Sequence, residues 1–250
     1  MIRGVRVMLS DQPRYDLYHQ AHDAQYLASV TGDAKGAALR PDMEVAEGMT
    51  TAVGPAGLLE ALGLDPSPSP EAITALGAGR HPVTGEQLVA PRPGYDRVAY
   101  NDLIYSVPTR VSVEYAAAGA AGDHVRGAQL VDDVEVSVWV GLETFTQLLP
   151  VVRRGLHSSM PMHAQLAALT NVHCAEQQVK GQTFPDPHLH VHTRVLNVAF
   201  GADGKWSAVD FRALYDNVRV LDGLIEAELQ HRLRARRYTS VAVTHSEPPQ

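Results

Sequence analysis

Two hydrophobic periods run along this chain and divide it into strands and helices. Residues 3 to 9 alternate apolar and polar side chains and predict a first strand. After Pro13, the residues Leu17, Ala21, Ala24 and Leu27 fall at helical spacing and predict a helix over 14–27. Tyr18 and Tyr26 lie about two turns apart on it and so share a side. Small and polar residues over 31–55 read as loop. A short helix follows over 56–64, ended by Gly63, and Pro70 and Glu71 open a second after a proline-rich turn. The segment 80–94 is rich in Pro and Gly and reads as a surface loop.

The second half is patterned more strongly. Residues 98–106 predict a strand, and Pro108 starts a helix that runs to Ala121. The stretch 123–139 mixes polar and β-branched residues, which predicts a helix ending near Val134 and then a strand. No period stands out over 150–162. Strands are expected over 167–173 and 188–200, separated by a polar loop over 177–185, and Asp203-Gly204 marks a hairpin turn. The clearest helix covers 211–237, with Leu214, Val218, Leu221, Ile225, Leu229 and Leu233 along one face. Its arginine-rich end suits the negative pole of the helix dipole. Strands and helices mix without regular βαβ alternation. The expected class is therefore α+β, a central and mainly antiparallel sheet with flanking helices. A single domain over 1–245 and a disordered tail over 246–250 complete the outline.

Composition narrows the setting. No apolar run approaches the ~20 residues of a membrane span, and the N-terminus lacks the features of a secretory leader. The single cysteine, Cys174, excludes an internal disulfide framework and thiolate metal clusters, and fits a reducing cytoplasm. The net charge of −7 is not the footprint of a non-specific nucleic-acid binder. Only Lys35, Lys180 and Lys205 are lysines, so the basic residues are mostly arginine, the better phosphate fork.

The chemistry concentrates in Asp186-Pro187-His188-Leu189-His190-Val191-His192. In a strand, successive side chains point to opposite faces, so His188, His190 and His192 emerge together while Leu189, Val191, Thr193 and Val195 face a core. Such a comb of neutral imidazoles is suited to hold a metal ion; a solvated surface strand is the plainer alternative.

Four motifs, in order, give the chain a resemblance to MobF-type (TrwC/TraI-like) conjugative relaxases, of the His-hydrophobic-His (HUH) endonucleases. Tyr18 and Tyr26 fall where that family has nucleophilic tyrosines. His81-Pro82-Val83-Thr84-Gly85-Glu86 is similar to its NPxTGE turn, and 102–112 (DLIYSVPTRVS) to DLTFSAPKSVS. Residues 186–197 (DPHLHVHTRVLN) are similar to DPxLHTHxxxLN, followed by a DGxW turn at 203–206. The resemblance implies a five-stranded antiparallel sheet with the His strand at its centre. It implies His190 and His192 as metal ligands, with His173 as the third from a neighbouring strand. His188 stands at a position usually not a ligand, and is a fourth ligand or a supporting donor. Asp102 matches the acid that orients a ligand imidazole or helps deprotonate tyrosine. The implied reaction nicks single-stranded DNA at a transfer origin and leaves a covalent 5′-phosphotyrosine, with Mg or Mn as the divalent ion. No helicase segment is expected after this region, so a separate helicase is a further expected partner.

The chain also departs from the family pattern. The PKS triplet is Pro108-Thr109-Arg110, and the paired tyrosines are reduced to single ones, with His19 after Tyr18 and Leu27 after Tyr26. These departures and the acidic balance leave two other readings open. One is a repurposed metalloenzyme using Zn, Fe, Ni or Cu on a small molecule. The other is a non-catalytic DNA-binding remnant.

Overall fold

A computed structural model describes residues 2–14, 50–175 and 187–236. The expected helix over 14–27 with Tyr18 and Tyr26, the loop over 177–185 and the C-terminal tail lie outside the described residues, apart from Arg14.

The described chain is built on one antiparallel sheet in the order β1 (Ile2–Met8), β3 (Val98–Ser106), β7 (Pro187–Gly201), β6 (Ala164–Ala175) and β2 (Thr51–Val53). A short β8 (Trp206–Ser207) folds back onto β7 through the Asp203-Gly204 turn. The His strand is thus the middle of the five, as the resemblance implied. β2 falls within the stretch read as loop; three residues on a sheet edge carry too little pattern to register.

Alternation along β7 decides what covers each face. Leu189, Val191 and Val195 enter a core with Leu103 and Tyr105 of β3. Onto that face pack α3 (Thr109–Ala121), α4 (His124–Leu148) and α6 (Val218–Ala235), through Val111, Leu130, Val134, Val138, Leu142, Leu221, Ile225 and Leu229. The opposite face is divided. At one end, Leu169, Leu196 and Val198 are covered by Leu58 and Leu62 of α1 (Ala56–Leu62) and by Ile73 and Leu76 of α2 (Pro70–Gly77). At the other end the same face carries the histidines.

Two long segments differ from expectation. The helix expected to stop near Val134 runs on to Leu148, and the expected strand after Val134 is part of that helix. Its valines at 134, 136, 138 and 140 imitate a strand, but the buried positions Leu130, Val134, Val138, Leu142 and Phe145 recur at helical spacing against the sheet. Gly141 lets α6 come close, because a Cβ there would sit 2.4 Å from Ile225 Cγ1. Conversely, the helix expected over 211–237 is broken at Asn217 into α5 (Phe211–Asp216) and α6. The stripe Leu214, Leu221, Ile225, Leu229 and Leu233 is buried as expected. The break lets α5 turn toward the sheet, where Tyr215 donates to Asn101 Oδ1 at 2.5 Å and lies against Gly4. The unassigned stretch 150–162 forms a separate hairpin of β4 (Val152–Arg154) and β5 (Met160–Met162).

The 81–86 turn is organised by its own histidine. His81 Nδ1 accepts from the backbone N–H of Val83 (3.1 Å) and Thr84 (3.3 Å). A backbone N–H can only donate, so Nε2 carries the proton and donates to Ala61 O at 3.0 Å. The imidazole here does the turn-closing work of an asparagine side chain.

Candidate metal centre

Antiparallel pairing places three ligand-type side chains at one point of the sheet. His190 of β7 is opposite His173 of β6, and His192 is opposite Asn171. On the other flank, Ser106 and Ile104 of β3 are opposite His190 and His192. Residues directly opposite in a sheet share a face, so His173, His190 and His192 converge. One ring nitrogen from each lies within 4.8 Å of the others. The ring centroids are 4.6 Å apart for His173–His192, 5.2 Å for His173–His190 and 5.3 Å for His190–His192.

Hydrogen bonds select which nitrogens face inward. His192 Nδ1 donates to the fully buried Asp102 Oδ2 at 2.6 Å. His190 Nδ1 donates to the backbone oxygen of His188 at 2.9 Å. Both rings therefore carry their proton on Nδ1 and present the Nε2 lone pair, the arrangement a ligating imidazole needs. Burial pushes His190 down to about 3, and the neighbouring imidazoles add to that shift. It is thus a neutral donor at physiological pH. Three nearly buried imidazoles, two of them oriented by an Nδ1 hydrogen bond and one of these backed by a carboxylate, fit a divalent cation.

His188 stands apart from this group. Its half-exposed ring stacks on His190 at 4.9 Å and 28°, and its carbonyl orients His190. Of the two roles expected for it, the geometry favours the supporting one. Asp102 is hydrogen-bonded to His192, one of the three clustered imidazoles. Ser112, the last residue of the 102–112 motif, accepts the Leu189 N–H at 3.0 Å and holds the start of the His strand onto α3. Tyr18 and Tyr26 are outside the described residues.

Three neighbours escaped the sequence reading. Arg194 shares the His face of β7, Asn171 lies opposite His192, and Thr50 precedes the edge strand. Arg194 had a usable signal, since it is the next even-numbered position after His192. Asn171 and Thr50 carry none, because strand pairing alone brings them near.

The family model described as TrwC relaxase matches residues 24–248 of the chain. No curated protein matches it. Among solved structures, a copper-bound conjugative relaxase TrwC in complex with oriT DNA is 22% identical, with a TM-score of 0.68 over 96% of this chain and 72% of that one. A metal-bound TrwC–oriT DNA structure gives a TM-score of 0.66 at 22% identity, over 96% of this chain and 71% of that one. TrwC complexed with a 27-mer DNA comprising the recognition hairpin and the cleavage site gives 0.64 at 22% identity, over 96% and 70%. These likenesses establish the common fold. Among the described residues, no helix is long and apolar enough to cross a membrane.

Proposed function

The chain belongs to the TrwC relaxase family, and from that premise we propose that it nicks single-stranded DNA at a transfer origin and carries the broken strand on a tyrosine. The observation that carries this reading is the meeting of His173, His190 and His192 within 4.8 Å, with Asp102 behind His192. TrwC structures with oriT DNA bound to the same fold support a DNA substrate over the small-molecule one considered from the sequence.

His173, His190 and His192 would hold the divalent ion, Mg or Mn, and His188 would support His190 from outside. When bound, the ion supplies positive charge against the non-bridging oxygens of the scissile phosphate. The chain's own groups do the rest. Imidazoles ligate as uncharged groups, so the three would leave the bound cation its full charge. Asp102 holds the His192 Nδ1 proton, so that ring cannot turn its Nδ1 inward. Tyr18 is our choice of nucleophile and Tyr26 the second. The phenol has a reference pKa near ~10 and must lose its proton to attack. Its oxygen bonds to phosphorus, the bond from phosphorus to the 3′-oxygen breaks, and that oxygen leaves as a hydroxyl after taking up a proton. The products are a 5′-phosphotyrosine and a free 3′-end, and a second tyrosine or the 3′-hydroxyl can reverse the transfer. A cytoplasmic place of action goes with this substrate.

The test is incubation with end-labelled single-stranded oligonucleotides and Mg²⁺ or Mn²⁺, read on denaturing gels and by intact mass. A covalent adduct that disappears in Tyr18→Phe is the expected result; loss only in Tyr26→Phe would reassign the nucleophile. No adduct and no DNA binding at low salt with either metal would overturn the reading.

A further inference from the structure

Arg194 is 4% exposed and is the only Lys or Arg among the described residues that is buried. Cations are almost never buried without partners, since stripping water from them is costly. The sheet supplies those partners on the ligand face. Asp102, fully buried and oppositely charged, is the cross-strand partner of Arg194 on β3. Toward the other flank, Arg194 Nη2 donates to Asn171 Oδ1 at 2.6 Å and to Thr50 Oγ1 at 2.9 Å. Asn171 Nδ2 in turn donates to Thr50 Oγ1 at 3.1 Å. The guanidinium lies 5.8 Å from the centre of the Tyr100 ring.

This cluster is placed where the third ligand needs help. His173 comes from a different strand than His190 and His192, so its approach depends on how β6 sits against β7. The regular pairing of β6 with β7 is interrupted between His173 and Ala175, immediately past the ligand. Asn171 is two residues before His173 and on the same face. β7 is therefore fastened by side chains to both neighbours around the ligands, through His192–Asp102 on β3 and through Arg194–Asn171 on β6.

We propose that Arg194 is a positioning residue of the metal centre, whose buried guanidinium pins Asn171 and Thr50 so that His173 is delivered to the same ion as His190 and His192. This rests on the reading of the three imidazoles as a metal site. Arg194 does not touch the ion; it acts through the strand that carries His173. Lysine keeps the charge, but its compact ammonium on a flexible stem lacks the rigid planar group that aims Nη2 at both oxygens.

The experiment measures Mn²⁺ affinity by calorimetry, and the Co²⁺ absorption spectrum, in the parent protein and in Arg194→Met, Arg194→Lys and Thr50→Val. Arg194→Met is expected to weaken Mn²⁺ binding about tenfold or more, the range for outer partners of metal ligands. Its Co²⁺ band should shift and lose intensity as His173 drops out. Arg194→Lys should fall between Arg194→Met and the parent, and Thr50→Val, which removes the hydroxyl that meets both Arg194 and Asn171 but leaves the Arg194–Asn171 bond, should cost about threefold. If Arg194→Met does not fold, the Lys and Val variants decide the question. Folded variants with Mn²⁺ affinity and Co²⁺ spectrum unchanged, whatever their melting temperature, would reduce Arg194 to a structural residue and overturn the proposal. Absence of metal binding in the parent would remove the centre itself, a failure distinguishable from the first.

Discussion

The two faces of β7 between residues 188 and 195 share one backbone and do opposite jobs. On the odd face, Leu189, Val191 and Val195 are sealed under α3, α4 and α6 in apolar contacts that many side chains of similar volume would satisfy, with Thr193 the one polar residue among them. The even face, His190, His192 and Arg194 with the half-exposed His188 at its end, is nearly as dry along the first three but entirely polar, and its groups are oriented by named partners on β3, on β6 and on β7 itself. One face is specified by volume and the other by hydrogen-bond geometry, so the two should fail differently when altered.

The largest effect is expected from breaking the even face at a ligand. His190→Ala should lose more metal affinity than the about 100-fold at which removal of outer partners tops out, and should abolish the DNA adduct. Calorimetry with Mn²⁺ and the oligonucleotide gel read both, and the melting temperature should change little. On the odd face, Leu189→Ala should destabilise the fold by ~2–5 kcal/mol in chemical denaturation, through a cavity under the helices. Metal affinity of its folded fraction should stay within about twofold, as no ligand partner is removed. A large loss of metal binding in Leu189→Ala would break the separation of the two faces. Asp102→Asn sharpens it: an amide can present its NH₂ to His192 Nδ1 and release the tautomer, and metal affinity should fall ~10- to 100-fold with the core untouched. The smallest effect is expected from Ser112→Ala, which leaves the Leu189 N–H without its hydroxyl acceptor and should cost ~1–3 kcal/mol of stability. Because Ser112 holds the strand rather than a ligand, adduct formation per folded molecule should be preserved.

How far the chain can be read without its fold varies by residue. The histidine comb was legible because a strand has a period of two, and a two-residue repeat projects directly onto one face. His173 was legible only through family resemblance, since the local sequence contains nothing that pairs it with His190. The alternating valines at 134–140 point the wrong way, because β-branched propensity is worth less than burying Val134, Val138 and Leu142 against the sheet. The apolar stripe from Leu214 to Leu233 was read correctly, yet it runs through the break at Asn217, which packing of Tyr215 against β1 and β3 imposes.

The amino-acid sequence by itself determined the strand and helix faces, the alternation of β7 and the donor types at its centre, because these are local consequences of backbone geometry and side-chain chemistry. Only the tertiary structure decided that α4 is one helix, which register sets β6 against β7, and that Asn171 and Thr50 stand around the imidazoles and Arg194. Those outcomes depend on contacts between residues far apart in the chain, where burial and strand pairing outweigh any preference a short segment can express.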